Sequence, residues 1–188
     1  DPTQPCKLAQ EKKLSWFRNN LIHYVPLPHA GAGRRVYPGF LQLAGFINMN
    51  PRRHISAFHD LFKSLRDGDQ EKVSRHREFY DEYFSVMDMP ETYYLDTIKK
   101  VFQEFHLARG CLMHRGRKVN PAAIKNVALL TVEGEKDDIS SPGQTRAAHD
   151  LCPNVPDELR HHHLQEGAGH YGAFSGSRWR NEIAPTLK

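Results

Sequence analysis

Hydrophobic positions divide the 188-residue chain into a helical stretch and a later stretch with a different rhythm. Ile55, Phe58, Leu61, Phe62 and Leu65 recur at i, i+3, i+6, i+7 and i+10, which predicts a helix from residue 54 with one apolar face, stopped by Gly68. A second helix is predicted over about 70–87, with Val73, Tyr80, Tyr83, Phe84 and Met87 facing inward and Pro90 closing it. A third is expected over about 91–106 on Leu95, Ile98, Phe102 and Phe105. Core packing is the first explanation for these aromatic side chains, and a lining for an apolar substrate is the second. Ahead of them, Leu14, Phe17 and Leu21 mark a short helix around Trp16. Residues 24–39 carry too many prolines and glycines for a long regular element, and Gly31 and Gly33 read as a plain turn rather than a phosphate loop.

The rhythm changes after a basic, glycine-punctuated connector at 110–120, which has the look of a hairpin. Residues 126–133 are apolar at consecutive positions, the pattern of a strand buried on both faces of a parallel sheet. Ser140 or Ser141 is placed to cap a following helix, with Pro142 in its first turn, running to about residue 151. Residues 160–166 form the next strand candidate, and a last helix is expected from Gly172. Strand, helix, strand, helix is an α/β alternation.

Composition narrows the function classes. The net charge is +4 and the pI about 9.0, but the 26 basic residues are scattered among 22 acidic ones, so no nucleic-acid track is expected. Three widely spaced cysteines, Cys6, Cys111 and Cys152, lack any C-x-x-C pair and suggest free thiols in a reducing compartment. No apolar run reaches the length of a membrane span. Consecutive strand side chains point to opposite faces, so the run His161-His162-His163 cannot converge on one ion. No cofactor or metal is expected.

Two features carry candidate chemistry. The strand over 126–133 ends on Gly134-Glu135-Lys136-Asp137-Asp138, which puts a carboxylate just past its carboxyl end, where α/β sheets place catalysts. Counting from Gly134 favours Asp137, and counting back from Pro142 favours Asp138; Asp137 is preferred as the acid, and either aspartate has a helix cap as its ordinary alternative role. His170 follows the second strand in Gly169-His170-Tyr171-Gly172, a loop able to turn sharply. An acid and then a histidine from successive strand ends are the last two members of a hydrolase triad in chain order. No Ser or Cys in the sequence has the glycine spacing of a nucleophile elbow. The nucleophile and its oxyanion donors are expected outside this chain, which is expected to be inert by itself.

These blocks resemble the intracellular poly(3-hydroxybutyrate) depolymerases, in their C-terminal portion. The likeness rests on Arg35-Val36-Tyr37-Pro38-Gly39-Phe40, Phe79-Tyr80-Asp81-Glu82-Tyr83, Val132 through Ile139, Gly143-Gln144-Thr145, Ala147 through Cys152, and Gly169-His170-Tyr171-Gly172. The resemblance implies the C-terminal part of an α/β-hydrolase fold with a helical cap, the nucleophile-bearing half being absent. Residues 1–118 would be connector and cap, and 119–188 core strands and helices. It further implies a cysteine nucleophile in a lipase-like turn, an acid and base matching Asp137 and His170, and release of 3-hydroxybutyrate oligomers or monomer through an acyl-enzyme. The implied partner is the polyhydroxyalkanoate polymer at a cytoplasmic granule surface. Alternative expectations are a non-catalytic granule-binding module, or a hydrolase of smaller acyl esters or thioesters.

Overall fold

The computed structural model describes residues 4–186, with side chains from Lys7 onward, so Cys6 lies outside the described side chains. Mixed helices and small sheets form two compact units. One spans Lys12–Lys99, and the other combines 4–11 with 100–186. The boundary expected after residue 118 thus lies inside the second unit, which also holds the 110–120 connector.

After α1 (Gln4–Glu11), the Lys12–Lys99 unit opens with α2 (Leu14–Leu21), whose Phe17 is buried. Short antiparallel strands β1 (His23–Tyr24) and β2 (Arg35–Tyr37) flank the Pro/Gly-rich turn, where Gly31 and Gly33 both take positive φ. The sequence pattern did not anticipate α3 (Gly39–Met49), whose only polar side chains are Gln42 and Asn48. Next comes α4 (Pro51–Arg66), starting three residues before the expected His54. Asn50 caps it by accepting from Arg53 N–H at 3.3 Å, and Pro51 fills the first turn, where a missing N–H costs nothing. Gly68 (φ +73°) ends it as read from sequence.

Asp69 then accepts from Lys72 N–H to start α5 (Gln70–Phe84). This helix stops at Phe84, short of Met87, and Pro90 does not close it but lies in β3 (Met89–Pro90), which pairs with β2. Of its predicted inward residues Val73 and Tyr80 are buried, whereas Phe84 and Met87 are 42% and 84% exposed. Helix α6 (Glu91–Thr97) passes into a π-helical turn, Ile98–Gln103, ending before the expected residue 106; Phe105 is exposed and has a positive φ. Phe17 stands edge-on to Tyr94, Tyr37 lies tilted against the same ring at 4.1 Å, and burial raises both phenol pKa values.

The other unit holds a hairpin, β4 (Met113–His114) with β5 (Arg117–Lys118), turning through Arg115 and Gly116 at positive φ. Its centre is a parallel pair, β6 (Leu129–Gly134) and β7 (Arg160–Gln165), in register from Leu129↔Arg160 to Gly134↔Gln165. The apolar run starts its strand three residues late, and Val127 is exposed. Neither Ser140 nor Ser141 caps a helix: residues 142–147 are turns and only α7 (Ala148–Leu151) is helical. Arg160 secures the approach to β7, donating to the carbonyls of Val155 (2.7 Å), Cys152 (3.1 Å) and Pro153 (2.7 Å). The last helical run begins at Gly176, not Gly172, as α8 (Gly176–Arg178), a π-turn Trp179–Ile183 and α9 (Ala184–Thr186); Ile183 is fully buried.

Gly134 sets how closely the two strand ends approach. A Cβ there would lie 2.6 Å from the carbonyl oxygen of Ala168, against backbone that cannot swing aside. Gly134→Ala is expected to cost about 1–3 kcal/mol of stability, read as a lower urea midpoint.

Candidate active site

Backbone hydrogen bonds sew together the loops that leave β6 and β7. Glu135 N–H donates to Gln165 O at 3.0 Å, and Lys136 N–H to Ala168 O at 2.8 Å. The Glu135 carboxylate accepts from Gly167 N–H at 2.7 Å, while Arg178 donates to Gly167 O at 3.0 Å. Gly167 takes φ +66°, a conformation glycine adopts without strain. The acid turn and the histidine loop therefore form one stitched rim.

On that rim Asp137 and His170 meet, with Asp137 Oδ2 2.9 Å from His170 Nδ1. The other carboxylate oxygen, Oδ1, accepts from Ile139 N–H (2.9 Å) and Ser140 N–H (2.8 Å), so the side chain is held at both ends. Asp137 is 7% exposed at its side chain and His170 33%. Burial alone would raise the Asp137 carboxyl, but the Ser140 N–H, His170 and the Ile139 N–H outweigh it and hold it below its ordinary value. An ionised carboxylate only accepts, so Nδ1 carries a proton, and in the neutral ring Nε2 is the acceptor. The His170 ring stands edge-on to Tyr171 and Phe174. Asp138, the alternative acid, is exposed.

Glu133 anchors the far side of the acid loop. It is 3% exposed on β6 and accepts from the N–H groups of Gly143 (2.7 Å), Thr145 (2.7 Å) and Arg146 (2.8 Å). Burial pushes its carboxyl up, but these three donors and the facing His162 hold it below the ordinary range. It satisfies N–H groups of the turns that stand where a helix capped by Ser140 or Ser141 was expected. On the same strand face Thr131 Oγ1 lies 2.9 Å from both His149 Nε2 and His162 Nδ1. A hydroxyl has one proton to give, so one of these rings donates to it. His163 turns to the opposite face and bonds Gln165 at 2.9 Å. The role of Glu133 was missed from the sequence, although a carboxylate inside an apolar strand has to find partners.

The family model described as "PHB de-polymerase C-terminus" matches residues 1–188, and the chain belongs to that family. No curated protein and no solved structure matches it.

Two outcomes follow from this geometry. Both carboxyls titrate lower in the folded chain than in the unfolded one, so as pH falls the unfolded chain binds protons first. Their stabilisation is complete above the ordinary carboxylate range and is lost as pH drops through the folded values. Urea midpoints are expected to fall steeply below about pH 4, with a flatter slope for Glu133→Gln. Nitrogen NMR of His170 is expected to report the Nδ1–H tautomer, and Asp137→Asn, whose amide can donate, to shift the ring toward Nε2–H.

Proposed function

We propose that this chain, as the C-terminal part of a poly(3-hydroxybutyrate) depolymerase, supplies the acid and the base that hydrolyse the polyester's ester bonds. The reading is carried by one observation: Asp137 and His170, 33 positions apart, are in hydrogen-bond contact at 2.9 Å on loops leaving two parallel strands. Residues 119–188 are then core of the α/β-hydrolase type, and residues 1–118 its connector and helical cap. The family's description as a C-terminus supports a nucleophile outside residues 1–188, a cysteine by resemblance.

In this mechanism His170 Nε2 accepts the nucleophile's proton as the nucleophile bonds to the ester carbonyl carbon. Asp137 stays ionised, holds the Nδ1–H tautomer and stabilises the imidazolium. Collapse of the tetrahedral intermediate breaks the C–O ester bond, and His170 returns the proton to the departing alkoxide. Water, deprotonated by the same nitrogen, then attacks the acyl-enzyme and releases a 3-hydroxybutyrate monomer or oligomer carboxylate. Asp138 has no part in this cycle. The place of action is the surface of cytoplasmic storage granules.

The test uses the complete enzyme carrying these residues and measures 3-hydroxybutyrate released from amorphous polymer particles, with short soluble esters as comparison. His170→Ala is expected to lower turnover on the order of a million-fold, and Asp137→Asn about ten-thousand-fold through the wrong tautomer. Asp138→Asn should stay near wild type, and residues 1–188 alone should show no turnover. Near-normal turnover by His170→Ala would refute the assignment, and faster cleavage of short esters than of polymer would redirect the substrate class.

A further inference from the structure

The first predicted helix has an apolar ridge that does not pack into its unit. On α4 Ile55 is 70% and Phe62 64% exposed, although Phe58, on the same helix, stacks against Tyr80 and His76 of α5. At 3.6 residues per turn Ile55 and Phe62 lie about 20° apart, and Arg52, His59, Lys63 and Arg66 follow within about 80° of Ile55 on one side. Asp60 is the helix's sole acid and sits about 140° round from Ile55. Lys63 pairs with Asp60 at 3.7 Å and Arg66 with Asp67 at 2.9 Å, both at exposed positions where such pairs hold little. Alongside, α3 has Gln42 and Asn48 as its only polar side chains yet buries only Gly39 and Gln42, leaving Phe40 66% exposed. A helix of that kind in water is ordinarily covered.

We infer that α4 docks its unit onto an anionic phospholipid surface, with Ile55 and Phe62 entering the acyl boundary and the basic flank facing the head groups. Three Lys/Arg and a histidine beside an apolar ridge, with the helix's one acid on another face, are the arrangement of a helix that lies in a lipid interface. The competing occupants fit less well. Cores of protein interfaces are depleted in lysine, and a second copy would bring like charges together. A bare polyester face is uncharged and makes no use of the cations. The inference stands on α4 and is independent of the roles of Asp137 and His170.

The experiment is co-sedimentation of the complete enzyme carrying these residues with phosphatidylcholine vesicles, with and without about one-third phosphatidylglycerol, and with bare polyester particles. Binding to anionic vesicles is expected to be at least about tenfold tighter than to neutral ones and to weaken as salt rises. The double variant Ile55→Asp/Phe62→Asp should lose it while keeping its circular dichroism. Arg52→Glu, a change at an exposed position, should weaken it about fivefold or more. Equal binding to neutral vesicles, retention by either variant, polyester binding that matches the anionic vesicles, or a dimer that buries the ridge would each overturn the inference.

Discussion

The parallel register of β6 with β7 is the constraint on which the candidate site depends. It brings Gly134 opposite Gln165, so the two chains leave the sheet at the same level. With no side chain at Gly134 the following loops close to backbone contact, and Lys136 N–H reaches Ala168 O. A one-residue slip would invert every side chain on the strand and carry Thr131 and Glu133 to the other face. It would also move the acid turn by a full residue relative to the histidine loop. The 2.9 Å contact between Asp137 and His170 is thus a property of the sheet's register before it is a property of the two side chains.

Glu133 shows how a short sheet holds a long connection without a long helix. Between Gly134 and α7 the chain makes turns whose N–H groups have no ladder to join. A buried carboxylate accepts three of them and is stabilised in its ionised form by doing so, which offsets the desolvation of the charge. Asp137 applies the same device one turn earlier, with two N–H groups on one oxygen and the histidine on the other. The connection is pinned at 139–140 and at 143–146, and the acid is held by the loop it organises.

Much of this unit was readable from the order of residues. A strand run ending on Gly134, an acid turn, and a glycine-flanked histidine after a second strand are local patterns, and both strands pair in parallel. The helix over 142–151 was not readable correctly: Ser140 and Pro142 are a standard helix-start signal, and the competitor that prevailed, Glu133, sits 10 residues from its first partner. Turns held by a carboxylate from a distant strand leave no trace in local spacing. In the other unit periodicity located α4 and α5 but misjudged what their apolar faces meet, because a 3.6-residue repeat records that a face avoids water and not what covers it. Helix α3 escaped notice for a related reason, since a helix with only Gln42 and Asn48 among apolar residues has little periodic contrast to detect.

The two units carry opposite answers to the problem of placing apolar and charged groups. In the strand-centred unit the charged side chains that matter, Glu133, Asp137 and Arg160, turn inward and are consumed by backbone partners, which yields a rigid rim with fixed donors. In the helical unit the order is reversed: Phe40 of α3 and Ile55 and Phe62 of α4 face outward, and cations of α4 flank its ridge on one side. Rigid, satisfied polar groups suit chemistry at one bond, where displacement by an ångström is costly. An exposed amphipathic ridge suits adhesion to an extended surface, where no single geometry is required and affinity scales with apolar area and charge. The sequence distributes the two arrangements between separate stretches of chain, so the exposed side chains of α4 can vary without disturbing the register that brings Asp137 to His170.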